Sequence, residues 1–121
     1  MSDFTFDDVL ELKMSKLREI GDRHAEAKKN LTYLEHSRNI LLSRLMKEYQ
    51  LNSTTGKLES AVAQEREARA DGRYEQHIKS LAEAVRIESE LNWQKQLVQI
   101  NFEVWKTKSI NQTVEMKAYG T

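Results

Sequence analysis

The sequence predicts an all-α fold. We expect a long antiparallel helical hairpin, coiled-coil-like and oligomeric, with two long helices and one short helix in a single helical domain over residues 1–121. Three observations predict it. The chain contains no proline and only four glycines, so the commonest helix breaker is missing. Apolar residues recur in steps of three and four along two long segments. A cluster of Asn, Ser, Thr and Gly separates those segments, as in a turn.

The first element is a helix over about residues 6–50. Thr5 fits its N-cap, and two aspartates in the first turn favour the positive end of the helix dipole. The apolar seam is interrupted at His24 and Arg38. Its members are Leu17, Ile20, Ala27, Leu31, Leu34, Leu41 and Leu45. A helix of this length is not stable alone in water, so the seam needs a partner.

The middle of the chain predicts a loop and a short helix. Residues 51–56, LNSTTG, have the composition of a turn. A short helix follows over about 57–70. Asp71 and Gly72 then allow one helix to end and another to begin, with a kink tolerated at Gly72.

The last long helix is predicted over about residues 73–109, with a polar tail at 110–121. Its apolar residues form one broad stripe, which packs on the first helix. The stripe consists of Tyr74, Ile78, Leu81, Val85, Leu91, Val98, Phe102 and Trp105. A short connection between long helices favours antiparallel packing.

A second apolar surface on this helix predicts self-association. Trp93, Leu97, Ile100 and Val104 lie off the main stripe, and we assign them with Trp105 to a subunit interface. Two helices alone make a narrow core, and small domains often gain stability by oligomerising. In the alternative, the short helix folds back over these residues and the protein is a monomer.

The sequence lacks the motifs of enzymes, metal sites and phosphate loops. His24, His36 and His77 are scattered, and there is no HExxH, no GxxxxGK[ST] and no GxGxxG. We therefore expect a non-enzyme without cofactor or metal. No segment has the roughly 20 apolar residues of a membrane span, so no membrane partner is expected. An acidic start and the absence of cysteine favour the cytoplasm, which would be the bacterial host cytoplasm for a viral protein.

Charge is sorted along a chain whose net charge is zero. Residues 13–47 carry nine bases against four acids. Antiparallel packing would bring Lys106 and Lys108 near a basic group on the first helix: Lys13, Lys16, Arg18 and Arg23. Such a basic end suits single-stranded DNA, because cations neutralise phosphates and aromatic rings stack on bases. Trp105 or Tyr119 would offer the ring, although Trp105 also fits core packing.

Two segments carry a resemblance to a known family. They are KKNLTYLEHSRNILLSRLMKEY (28–49) and RYEQHIKSLAEAVRIESELNWQKQLVQINFEVWKTKS (73–109). Their helix order, the Lys-Lys-x-Leu start, the Arg-Tyr-Glu opening and the Trp-bearing apolar end resemble UvsY-type phage recombination mediators. The resemblance implies an oligomeric ring that binds single-stranded DNA and helps a recombinase replace the single-strand binding protein. The DNA-facing candidates that it implies are Lys28, Lys29, Arg38 and Arg44, which equally fit solvated flanks of a coiled coil.

The sequence therefore leaves two functions open. The first is a phage recombination or replication accessory that binds single-stranded DNA weakly, without sequence preference, and assists a recombinase or an annealing protein. The second is a helical adaptor or inhibitor that binds another protein and has no nucleic-acid role. Salt-dependent binding to single-stranded DNA distinguishes them.

Overall fold

A computed structural model describes residues 5–118, and it contains three helices in the order α1 (Phe6–Glu48), α2 (Ala61–Ala70) and α3 (Gly72–Ala118). The described residues contain no β-strand, only one isolated antiparallel bridge between Leu51 and Leu58. The predicted all-α fold of two long helices and one short helix is confirmed.

The start of α1 is fixed by a reciprocal cap. The backbone N–H of Asp8 donates to the hydroxyl of Thr5 at 3.2 Å, and the N–H of Thr5 donates to the carboxylate of Asp8 at 3.1 Å. Each side chain thus satisfies a backbone donor that the first helical turn leaves free. Thr5 is the N-cap that the sequence predicts.

The loop after α1 is longer than predicted, and α2 starts at Ala61 rather than near residue 57. Residues 57–59 belong to the loop, because the N–H of Glu59 donates to the carbonyl of Gln50 at 2.9 Å and Lys57 accepts from Asn52 at 2.8 Å. The hydroxyl of Ser60 then accepts from the N–H of Ala63 and caps the helix.

Gly56 has the one backbone conformation in this loop that requires a glycine. Its φ of 68° lies in the left-handed region, where a Cβ atom is unfavourable. The side-chain oxygen of Asn52 accepts from the N–H groups of Thr54 and Thr55, which closes the turn.

The junction between α2 and α3 is a break at Asp71 rather than a kink inside one helix. Asp71 is extended, and its carboxylate accepts from the Tyr49 hydroxyl at 2.7 Å and from the Arg73 guanidinium at 3.0 Å. The Arg73 guanidinium and then the Tyr49 hydroxyl hold the pKa of the Asp71 carboxyl well below its usual range. Arg73 also donates to Glu48 at 2.7 Å, so this network ties the end of α1 to the start of α3.

The third helix continues to Ala118, nine residues beyond its predicted end. The predicted polar tail at 110–121 is therefore helical as far as residue 118, and residues 119–121, with the proposed stacking residue Tyr119, lie outside the described residues. Polarity alone does not end a helix, and neither Gly nor Pro occurs between 110 and 118. The hydroxyl of Thr113 donates to the carbonyl of Ser109 at 3.0 Å within this last stretch.

The packing divides the chain into two compact units. Unit 2 is Ala27–Glu88, and unit 1 comprises, among the described residues, 5–26 and 89–118. The prediction of a single domain stays a prediction.

Unit 2 has the better-packed core. Leu45, Ala68 and Tyr74 are buried together, so all three helices contribute one side chain each. Half-buried residues pack around them: Leu41, Leu42, Met46 and Tyr49. Here α1 and α3 run antiparallel, because His77 lies 2.8 Å from the carbonyl of Leu34 and Arg73 meets Glu48.

Unit 1 consists of the first half of α1 and the second half of α3. Its buried side chains are Ile20, His24 and Leu91. The helices are again antiparallel, because Phe6 stacks on Trp105 whereas His24 contacts Lys95. This narrow core leaves much of α3 exposed.

Candidate binding surfaces of unit 1

An aromatic cluster joins the start of α1 to α3. The ring centroids of Phe6 and Trp105 lie 5.2 Å apart in a stacked arrangement, and those of Phe102 and Trp105 lie 6.0 Å apart. The ammonium of Lys13 lies 5.3 Å from the centroid of the Trp105 ring, within cation–π range. Trp105 therefore packs inside the chain, while Phe6 remains 53% exposed.

A groove between the two helices begins beside this cluster. It consists of two adjoining hollows of about 280 and 120 Å³ that share Lys16 and Val98. We call it the basic groove. Its lining residues are Lys13, Lys16, Glu19, Ile20 and Arg23 on α1, and Gln94, Leu97, Val98, Asn101 and Phe102 on α3.

Cations outnumber carboxylates in the basic groove. Lys13, Lys16 and Arg23 line it, and Glu19 is its one carboxylate. Lys16 and Arg23 are seven residues apart and so lie on the same side of α1. The floor is apolar, whereas Gln94 and Asn101 provide neutral donors and acceptors on α3. The groove thus combines positive charge, hydrogen-bonding groups and an exposed aromatic ring at one end.

The three histidines have different environments. His24 is buried in unit 1, and its Nδ1 lies 3.2 Å from the ammonium of Lys95. His77 is half-buried in unit 2 against the carbonyl of Leu34, and His36 is exposed. Over residues 5–118, no three His, Asp or Glu side chains come together in a way that could hold a metal ion.

A second surface of unit 1 lies on the other side of α3. Trp93, Leu97, Ile100 and Val104 are exposed by 61%, 42%, 57% and 47%. At 100° per residue they fall within an arc of about 60°, on the side of α3 roughly opposite the residues that face α1. We call these four residues the outer stripe. The alternative in which the short helix folds back over these residues and the protein is a monomer stays a prediction.

The predicted basic residues do not form one surface. Lys106 and Lys108 are both exposed, but two helical positions separate side chains by about 160° around the axis, so they lie on different sides of α3. The four residues implied by the resemblance lie in unit 2, where Lys28, Lys29 and Arg44 are exposed and Arg38 is half-buried.

Sequence reasoning identified part of the basic groove and missed the rest. Lys13, Lys16 and Arg23 belong to the basic group that it predicted. It missed Gln94 and Asn101, because neutral amides on a helix carry no signal until the pairing of the two helices is known.

The described helices contain no apolar window long enough to cross a bilayer. Comparison with protein-family models, curated proteins and solved structures gave no match, so the functional argument rests on the residues of this chain.

Proposed function

We propose that the protein is a non-enzymatic accessory of DNA recombination or replication, which binds single-stranded DNA weakly and without sequence preference in the basic groove. The observation that supports this function is the arrangement of Lys13, Lys16 and Arg23 along a groove that ends at the aromatic cluster. In this proposal the bound strand is delivered to a recombinase or an annealing protein, or is exchanged with a single-strand binding protein.

Each part of the groove has a role in binding an unpaired strand. The three cations neutralise phosphates, which gives affinity without reading sequence. The exposed ring of Phe6 accepts a stacked base, and any base can stack. Gln94 and Asn101 can hydrogen-bond to either phosphates or bases. Three cations and one carboxylate make a weakly positive site, which accounts for weak rather than tight binding.

The function predicts salt-dependent binding to a fluorescein-labelled oligothymidylate, measured by anisotropy. Each phosphate contact with a single strand contributes about 0.7 to the slope of log affinity against log salt, so three contacts give a slope of about −2. Affinity should fall roughly 15-fold to 20-fold between about 50 and about 200 mM salt.

Two triple variants locate the site. Replacing Lys13, Lys16 and Arg23 with glutamine should remove the salt-dependent binding. A matched variant in unit 2, with Lys28, Lys29 and Arg44 replaced by glutamine, removes the same charge and should bind as the unchanged protein does. The reverse pattern would exclude the basic groove and favour the positions implied by the resemblance. If the unchanged protein does not bind at low salt, the proposed function is wrong.

The second candidate function is a helical adaptor or inhibitor with no nucleic-acid role. The outer stripe supports it, because exposed apolar side chains in a continuous row commonly contact another protein. An adaptor would show no salt-dependent retention of the oligonucleotide, and its binding would be lost by substitutions in the outer stripe rather than in the basic groove.

A further inference from the structure

The outer stripe has the spacing of a coiled-coil seam. Trp93, Leu97, Ile100 and Val104 are separated by four, three and four residues, which places them alternately at the two core positions of a heptad. Beyond Val104 the same spacing leads to Thr107 and then to Asn111, and α3 continues as helix to Ala118.

We propose that the outer stripe binds α3 of a second copy of this chain, with the two helices parallel and in register. The second copy is the favoured occupant because the charges beside the stripe complement each other. Glu103 and Lys108 are exposed on opposite flanks of the seam and are five residues apart. In a parallel coiled coil this is the spacing at which flanking residues of two helices meet, so Glu103 of each copy pairs with Lys108 of the other.

The antiparallel arrangement lacks this complementarity. Antiparallel helices centred on the four residues of the outer stripe would place Glu103 nearest Gln96 and Lys108 nearest Ile87 along the flanks of the seam. Both charges would then have no opposite charge across the interface. In coiled coils the flanking charges determine both the partner and the relative direction of the helices.

Asn111 gives a second argument for the parallel direction. It occupies a core position of the heptad, the same position as Leu97 and Val104. In a parallel, in-register pair Asn111 lies opposite Asn111 of the other copy, and the two amides can hydrogen-bond to each other. A shift in register would place the amide against an apolar side chain and leave it unsatisfied, which is how a single core asparagine fixes register.

Self-association would also bury apolar surface that the narrow core of unit 1 leaves exposed, because α3 there packs one apolar side on α1 and has the other in water. It does not depend on DNA binding. Leu97 belongs to both surfaces, but the residues that test each proposal do not: Lys13, Lys16 and Arg23 line only the basic groove, and Val104 lies only in the outer stripe. A failure of either proposal therefore leaves the other standing.

Two valines of nearly equal exposure on α3 provide the first test. Val104 is 47% exposed in the outer stripe, and Val85 is 45% exposed outside it, so the prediction that Val85 packs on α1 is wrong. In sedimentation across a range of concentrations, the unchanged protein should associate, and Val104→Glu should weaken association at least about a hundredfold by burying a charge in the seam. Val85→Glu should associate normally, and circular dichroism should show both variants helical. A monomer at all concentrations overturns the proposal.

Charge exchange tests the pairing. Glu103→Lys should weaken association about tenfold, because two attractive pairs become repulsive. The double variant Glu103→Lys with Lys108→Glu restores opposite charges and should recover most of the loss. If the double variant associates no better than the single one, Glu103 and Lys108 do not pair.

Direction and register are tested with introduced cysteines, since the chain has none of its own. Thr107 lies on the seam line and Thr113 on the other side of α3, and both are exposed. Under mild oxidation Thr107→Cys should form a disulfide-linked dimer, because only a parallel, in-register pair brings that residue next to its own copy. Thr113→Cys should remain unlinked. Equal linking of both variants, or none in an associating protein, would exclude the parallel arrangement.

Discussion

Replacing Leu45 with alanine should lower the free energy of unfolding by about 2–5 kcal/mol, the usual cost of removing a large aliphatic side chain from a packed core. Leu45 is 1% exposed and is in contact with the packed group formed by Ala68 and Tyr74. Three helices meet there, so the surrounding residues cannot easily collapse into the space left by the missing atoms. Urea unfolding followed by circular dichroism measures the change.

Leu12 is the matched control for Leu45. It lies on the same helix but is 59% exposed. Leu12→Ala should change the free energy of unfolding by no more than about 0.5 kcal/mol, because little apolar surface is lost from a core. Equal effects of the two substitutions would mean that unit 2 does not have the core described.

Replacing Trp105 with alanine should lower the free energy of unfolding by about 2–3 kcal/mol. Removal of a fully buried Trp costs about 3–5 kcal/mol, and Trp105 is only half-buried. The loss includes its stacking on Phe6 and its tilted contact with Phe102, worth about 0.5–1.5 kcal/mol for each aromatic pair, and its contact with Lys13. Thermal or urea unfolding at low protein concentration measures the change.

The other tryptophan provides the control for Trp105. Trp93 is 61% exposed and lies in the outer stripe. At a concentration low enough to keep the protein dissociated, Trp93→Ala should lower the free energy of unfolding by less than about 0.5 kcal/mol. A Trp105→Ala variant as stable as Trp93→Ala would contradict the aromatic cluster.

The two long helices could be predicted because their signals are local and strong. Apolar residues at steps of three and four, the cap at Thr5 and the absence of proline all favour helix. Boundaries were less predictable. The start of α2 depends on Ser60 as a cap and on the pairing of residues 57–59 across the loop, which is a contact that propensity does not report.

The end of α3 was misjudged for a different reason. The mixed composition of residues 110–118 predicts a polar tail, but Ile110, Val114 and Met116 also lie there, and a helix can continue where neither Gly nor Pro interrupts it.

Less of the candidate site than of the fold could be predicted. The apolar character of the outer stripe was predicted from helical periodicity. The basic groove required the pairing of α1 with α3, which decides that Lys16 lies beside Val98 and Asn101. The prediction that Lys106 and Lys108 act together does not fit a helix, because residues two positions apart lie on different sides of the helix axis.

The central claim is that α3 in unit 1 has two apolar sides, one packed on α1 and one open. Trp105 reports on the side packed against α1, and Trp93 reports on the open side. Single-tryptophan proteins made by Trp93→Phe and Trp105→Phe therefore test the claim directly, with acrylamide quenching of fluorescence as the measurement. Trp93 should be quenched much more strongly than Trp105 in dilute protein, and the quenching of Trp93 alone should decrease as protein concentration rises. Equal quenching of the two, or stronger quenching of Trp105, would contradict the account.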